Sequence, residues 1–218
     1  TGSVKARGLS CAVSMAVERA IARVSVCSTG NAAGALAAYA AAAGLRARVA
    51  LPAGTPGSNF LEASACGAEV SCGVDTGADP EWFQMGAFLE PYRVEGTKTL
   101  GFEIAEQSRW ELPDAIVFPT GSGGGLVGLW KAFEELEALG WIGPKRPRMI
   151  AVQAEGCRPL VSAFERGLED CEECRDPFTL AAALRVSKPL AGRLILKTIR
   201  ESGGAAVAVT DQQMLDAG

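Results

Sequence analysis

The sequence predicts an α/β fold whose strands run parallel, and three observations predict it. Short β-branched or apolar runs alternate with helical patterns along nearly the whole chain. Two of those runs break into a small polar or glycine-rich turn directly before a helix, the connection that parallel crossovers use. Finally, 48% hydrophobic residues in a chain of 218 are ample for a core, as one large domain or two small ones.

In order, Thr1-Gly2-Ser3-Val4-Lys5-Ala6-Arg7-Gly8 leads at once into helical spacing at Leu9, Val13, Met15, Ala16 and Ala20. Lys5 falls at the start of that helix, where the positive dipole end favours a neutral amine, a route to a nucleophilic lysine. A solvated first-turn lysine is the commoner alternative. Val24 to Cys27 reads as a strand, Ser28-Thr29-Gly30-Asn31 as a turn, and Ala32 to Ala43 as a helix closed by Gly44. Amides and hydroxyls gathered at that helix start suit a carboxylate, and equally suit an ordinary N-cap. A strand over 47–51, a helix over 58–66 and a strand over 68–74 complete a β-α-β-α-β unit with right-handed crossovers.

The pattern then weakens. Residues 75–80 read as loop, and 81–87 are too short for a crossover helix, so an element is expected to be missing. Arg93 and Lys98 fall in a turn rather than on a helix face, which makes them candidate anion ligands against a background of ordinary solvated cations. A helix follows through Leu100, Phe102, Ile104 and Ala105, then a buried strand over 114–118, a glycine-rich turn and a helix from Leu126 to Leu139. Beyond Gly140 come a strand over 148–153, helices over 159–166, 178–184 and 190–202 around an acidic loop at 167–177, a strand over 205–209 and a last short helix from Asp211. Both chain ends read as cut, so the fold is expected to be truncated at both.

Charge and cysteine content exclude several function classes. A net charge of -4 and a pI near 5.1, with 21 basic residues dispersed, argue against nucleic acid as a partner. The alanine-rich run from Gly34 to Gly44 is far too short to cross a membrane, and no signal peptide opens the chain. Seven cysteines without regular spacing fit free thiols and a cytoplasmic setting. Cys171-Glu172-Glu173-Cys174 has the spacing of a redox or zinc pair, but no second pair accompanies it and the chain has no histidine; an exposed acidic loop is the favoured reading and no metal is expected. The missing histidine also removes Ser-His and Cys-His catalysis, leaving lysine, carboxylates, tyrosine, cysteine or a cofactor to move protons.

Thr120-Gly121-Ser122-Gly123-Gly124-Gly125 is the clearest functional signal, because residues without Cβ let an anion approach the backbone at a helix start. A nucleotide P-loop fails for want of the terminal Lys-Ser/Thr, since Gly125 is followed by Leu126 and Val127. A dinucleotide fingerprint over Gly123, Gly125 and Gly128, with Glu155 for the ribose, is a weak match that slides its third glycine into the helix. The third reading is a phosphorylated cofactor of another kind.

Taken together and in this order, Ser3-Val4-Lys5-Ala6-Arg7-Gly8, Ser28-Thr29-Gly30-Asn31 and Thr120 to Gly125 resemble the fold type II pyridoxal-phosphate enzymes, the tryptophan synthase beta-like kind. Within that family Glu90-Pro91-Tyr92-Arg93-Val94-Glu95-Gly96-Thr97-Lys98-Thr99-Leu100-Gly101, Trp130 to Phe133, Ala151 to Cys157 and Arg200 to Gly204 are similar to segments of the threonine synthases. Threonine dehydratases and cysteate synthases share the frame, and a non-catalytic α/β fragment that keeps the phosphate cradle is the reading from another class. The resemblance implies two open parallel-sheet domains: a smaller one at 10–102 carrying the Ser-Thr-Gly-Asn loop, and an incomplete larger one at 1–9 and 103–218 for the cofactor phosphate. It implies pyridoxal 5'-phosphate as cofactor, with Lys5 as the catalytic Schiff-base lysine, Asn31 on the ring hydroxyl and Gly121, Ser122, Gly123, Gly124 and Gly125 around the phosphate. Ser28, Thr29 and Asn31 would take the carboxylate of a small amino-acid substrate, and Arg93 and Lys98 the phosphate of O-phosphohomoserine, which would yield threonine and phosphate. Family members are commonly dimers, so a homodimer is expected. Val4 departs from the aromatic usual before the lysine, and Ala32 from the hydroxyl residue frequent after the asparagine.

Overall fold

A computed structural model describes residues 2–28, 30–73 and 79–218. Thr29, Val74 at the end of the strand expected over 68–74, and residues 75–78 of the loop expected over 75–80 therefore lie outside the described residues. The chain divides into two compact units, Thr1–Thr97 and Lys98–Gly218.

The first unit holds α1 (Lys5–Glu18), β1 (Arg23–Cys27), α2 (Asn31–Ala42), β2 (Arg46–Leu51), α3 (Gly57–Ala65), β3 (Glu69–Cys72), β4 (Phe83–Gln84) and α4 (Tyr92–Thr97). Its sheet has the order β3-β2-β1-β4 with every described pairing parallel. The register sets Val24 against Ala47 and Val26 against Val49, so the apolar positions of neighbouring strands share a face. The alanines of α2 lie buried between that sheet and α1: Ala33, Ala35 and Ala40 are fully enclosed with Leu36, beside Leu9, Ala12 and Val13 of α1. Small side chains allow this close approach from several sides, which explains a helix without a polar stripe.

The second unit holds α5 (Thr99–Gln107), β5 (Ala115–Pro119), α6 (Gly124–Ala138), β6 (Arg148–Ala154), α7 (Pro159–Glu165), α8 (Gly192–Glu201), β7 (Ala205–Val209) and α9 (Asp211–Asp216). Its parallel sheet runs β5-β6-β7. Leu126, Leu129, Phe133, Met149, Leu160, Ile195 and Ile199 form its enclosed core.

Four expectations need correction. Residues 81–87 hold no helix, as expected, but the stretch is not without an element: the two-residue β4 adds to β1 through Val24 and Phe83, a pairing too short to leave a periodic signal. Arg93 lies within α4 and Lys98 is the residue that caps α5, so neither sits in an open turn. The helix expected over 178–184 is reduced to a single 3₁₀ turn at Ala182–Leu184. There the Asp211 carboxylate accepts from the Thr179 hydroxyl at 2.6 Å and the Leu180 amide at 2.9 Å, competing with the helical ladder. The strand at 115–119 is not buried: it edges its sheet, and Val117 is 64% exposed.

Within the first unit α1 packs along both α2 and α4. Among the described residues no helix is long and apolar enough to cross a membrane.

Candidate active site

In the first unit, Lys5 is the first residue of α1 and half-buried. Val4 supplies no side-chain cap, and the Ser3 hydroxyl is buried without a hydrogen-bond partner. Two glycines bring α4 against the Lys5 end of α1. A Cβ on Gly8 would fall 2.7 Å from the Arg93 carbonyl oxygen, and one on Gly96 would fall 2.3 Å from the Arg7 carbonyl oxygen. Backbone therefore meets backbone, and Arg93 is delivered close to Lys5 by packing alone. Burial, followed by the neighbouring Arg93 guanidinium, holds the Lys5 ammonium below the ordinary lysine range. The helix dipole acts in the same direction, so three causes favour the neutral amine.

Arg93 is itself fixed. Its Nη1 donates to the Met85 carbonyl at 2.8 Å, and its backbone N–H donates to Glu90 Oε2 at 3.1 Å. Glu90 is 6% exposed, with Oε1 buried and without a hydrogen-bond partner. Burial pushes the Glu90 carboxyl up, opposed by the Arg93 and Tyr92 amides and by the Arg93 charge. The Arg93 cation that acts on Lys5 thus has the buried Glu90 carboxyl three residues away.

The turn before α2 is more open. Asn31 is the exposed first residue of the helix, Gly30 caps it without a side-chain bond, and Ser28 Oγ lies 3.4 Å from the Gly30 amide as a weak acceptor. Ser28 and Asn31 therefore bracket a helix start whose first amides have no side-chain cap.

In the second unit the glycine loop leads into α6, and three of its four glycines have separate steric reasons. A Cβ on Gly121 would lie 2.3 Å from the Ala183 carbonyl oxygen, and one on Gly125 would lie 2.3 Å from the Phe118 ring. Gly123 caps α6 in the left-handed region, φ +80°, with Ile195 Cδ1 2.1 Å from where a Cβ would stand. Gly124 alone faces open space, with nothing within 4 Å. Packing thus rigidifies three glycines and leaves the backbone free to be approached at the fourth. No side chain caps α6, so its first-turn amides are available to an anion. A phosphate monoester fits this arrangement, which offers amides and a helix start with Ser122 as neighbouring hydroxyl. Gly128, fully within α6, is too deep in the helix to complete a dinucleotide turn.

Lys98 belongs to this second unit and is engaged there: its Nζ contacts both Glu135 oxygens, at 2.9 and 2.7 Å. Sequence reasoning missed Gln153, which is completely buried in β6. Its Nε2 donates to the Thr120 carbonyl at 3.1 Å, and its Oε1 accepts from the Leu160 and Val161 amides at 2.9 and 3.3 Å. One side chain thereby ties the residue ahead of the glycine loop to the start of α7. The available signal was a lone amide in an otherwise apolar strand, Met-Ile-Ala-Val-Gln-Ala.

Residues 1–218 match the family described as PALP: Pyridoxal-phosphate dependent enzyme. Among curated proteins, the threonine synthase of Methanosarcina acetivorans is 39% identical over 228 residues, covering 100% of this chain and 56% of that protein. The threonine synthase of Methanocaldococcus jannaschii is 36% identical with the same coverages. The chain thus spans little more than half the length of these relatives. Among solved structures, the T.th. threonine deaminase superposes with a TM-score of 0.78 at 26% identity, covering 100% of this chain and 70% of that one. Maize serine racemase, at 21% identity and a TM-score of 0.81 over 99% of this chain and 65% of its own, shares the fold.

Proposed function

The chain belongs to the pyridoxal-phosphate dependent enzyme family, and on that premise we propose that it carries the cofactor-holding part of a threonine synthase, which converts O-phosphohomoserine and water to threonine and phosphate. The observation that carries this reading is Lys5, a half-buried amine at a helix start whose charged form is disfavoured by burial and by Arg93. The relatives named threonine synthase support the choice of reaction.

When bound, pyridoxal phosphate supplies the electron sink that makes the substrate's carbon-bound protons acidic. The protein's own part is to bind, orient and move protons. Lys5 Nζ would hold the cofactor covalently and, once released, take the proton from the substrate α-carbon and then one from the β-carbon. An amine held toward neutrality is ready to accept them. Asn31 would hydrogen-bond the ring hydroxyl, and the amides of Gly121, Ser122, Gly123, Gly124 and Gly125 would hold the cofactor phosphate. Ser28, Thr29 and Asn31 would orient the substrate carboxylate. Arg93 is the better candidate for the leaving phosphate, since Lys98 already shares the Glu135 carboxylate.

A second reading, a threonine deaminase-like lyase acting on an unphosphorylated hydroxy amino acid, is favoured by a specific observation. Both cations assigned to the substrate phosphate have carboxylates at hand, Glu90 behind Arg93 and Glu135 on Lys98. That arrangement lowers the net positive charge a phosphate would meet.

Titrating the protein with pyridoxal phosphate tests the premise. A band near the visible edge, bleached by borohydride as the linkage is reduced to a stable amine and absent in Lys5→Ala, is expected; no such band at saturating cofactor sinks the enzyme reading. Phosphate release from O-phosphohomoserine, measured beside oxo-acid formation from threonine, then separates the two reactions. Oxo-acid alone would replace the synthase by the deaminase-like reading.

A further inference from the structure

Cys171 and Cys174 are joined by spacing, but the fold separates their surroundings. Cys171 is 6% exposed and its sulfur packs at the start of α8, where a Cβ on Gly192 would come within 2.9 Å of it. Cys174 is partly exposed on the rim of a pocket of about 190 Å³ that Arg158, Ser162 and Arg166 also line. Its thiol lies 3.9 Å from the carbonyl oxygen of Gly156, the residue before Cys157, and Cys174 is among the groups that act on the Cys157 thiol.

Backbone contacts maintain this approach. The Cys174 amide donates to the Ser187 carbonyl at 2.9 Å, and the Phe178 amide donates to the Gly156 carbonyl at 3.0 Å. Gly156 sits so tightly on the 178 peptide that a Cβ there would fall 2.1 Å from the Phe178 oxygen. The segment carrying Cys174 is therefore anchored on Gly156 through Phe178, four residues beyond the cysteine. Cys157 itself is fully enclosed.

We propose that Cys157 and Cys174 form an oxidisable dithiol, a modification site at which a hydroperoxide is reduced while the two thiols become a disulfide. Exposure assigns the order. Cys174 is reachable from solvent, whereas the enclosed Cys157 thiol, pushed up to about 11 chiefly by burial, stays protonated at neutral pH and does not attack first. The Cys174 thiolate attacks one peroxide oxygen, the O–O bond breaks, and the departing hydroxide takes a proton to leave as water, with a sulfenic acid on Cys174. The Cys157 sulfur gives up its proton and attacks that sulfur. The S–O bond breaks and a second water leaves. Two thiols lose two electrons and one molecule of hydrogen peroxide becomes two waters. The bridge would close the segment containing α7, which begins at the amides held by Gln153.

This site is independent of the reading of function, and its test measures no turnover. The chain is treated with hydrogen peroxide, remaining thiols are alkylated under denaturing conditions, and peptides are mapped without reduction. The expected product is a linked pair containing Cys157 and Cys174, reversed by dithiothreitol, lost in Cys174→Ser and retained in Cys171→Ser. A link between Cys171 and Cys174 overturns the proposal. So does a Cys174 carried on to sulfinic acid while Cys157 is recovered alkylated.

Discussion

The Lys5 region and the glycine loop are both helix starts, yet they are built from opposite materials. At Lys5 the determinants are buried charges: an amine, a guanidinium and a carboxylate whose surroundings disfavour the charged form of the first and the third. At Gly121 to Gly125 the determinants are volumes, because three of the glycines are enforced by neighbouring atoms and the binding groups are backbone amides. The two regions should therefore respond to different perturbations. Changes of charge should retune the first with modest effect on folding, and changes of volume should break the second without altering any titration.

The largest effect is expected at Gln153, the support beneath the loop. Gln153→Leu keeps the bulk but leaves the Thr120 carbonyl and the Leu160 and Val161 amides without their partner. At roughly 1–3 kcal/mol for each buried group left unpaired, a loss of about 3 kcal/mol or more is expected in urea unfolding. A loss under about 1 kcal/mol would show that the side chain does not tie the loop to α7.

Next in size is a contrast inside the loop. Gly123→Ala puts a Cβ into the left-handed region and onto Ile195, for an expected cost of about 2–4 kcal/mol. Gly124→Ala meets nothing within 4 Å and should change stability by less than about 0.5 kcal/mol. It should nevertheless weaken pyridoxal phosphate in a fluorescence titration, because the methyl projects into the space through which an anion approaches. Equal stability losses in the two variants would mean that packing does not distinguish these glycines.

The smallest effect concerns charge. Because the folded-state pKa of Lys5 is depressed, its burial opposes folding fully below that folded value, and the penalty fades as pH rises toward the unfolded value of 10.5. Arg93→Gln removes the second of the two causes, so the pH midpoint for borohydride-trapped attachment of pyridoxal phosphate should move upward while staying below the ordinary lysine value. A downward shift would mean that Arg93 is not felt by Lys5 as a like charge.

Much of the fold was legible because its signals are local. The run Val24-Ser25-Val26-Cys27 before an alanine-rich segment, and Ile116-Val117-Phe118 before four glycines, announce strand, turn and helix in order, and the structure keeps that order. The two-residue β4 escaped because one pairing step has no period, and residues 178–184 misled because Asp211, distant in sequence, captures their first donors. The exposure of Val117 was equally hidden, since a strand's own residues do not state whether it is central or at an edge.

Local signals in the chain were enough for the alternation of strands and helices, for a helix start at Lys5 and for helices following the Ser28–Asn31 turn and the glycine run, because these depend on composition and on neighbours a few residues away. Only the tertiary structure decided who stands beside whom. It set Arg93 near Lys5 through the Gly8 and Gly96 contacts, gave Lys98 to Glu135, put Gln153 under the loop and laid the Cys174 thiol on the Gly156 carbonyl beside Cys157. Those pairings join residues brought together by close packing, and close packing is a property of the assembled core that no periodicity along the chain encodes.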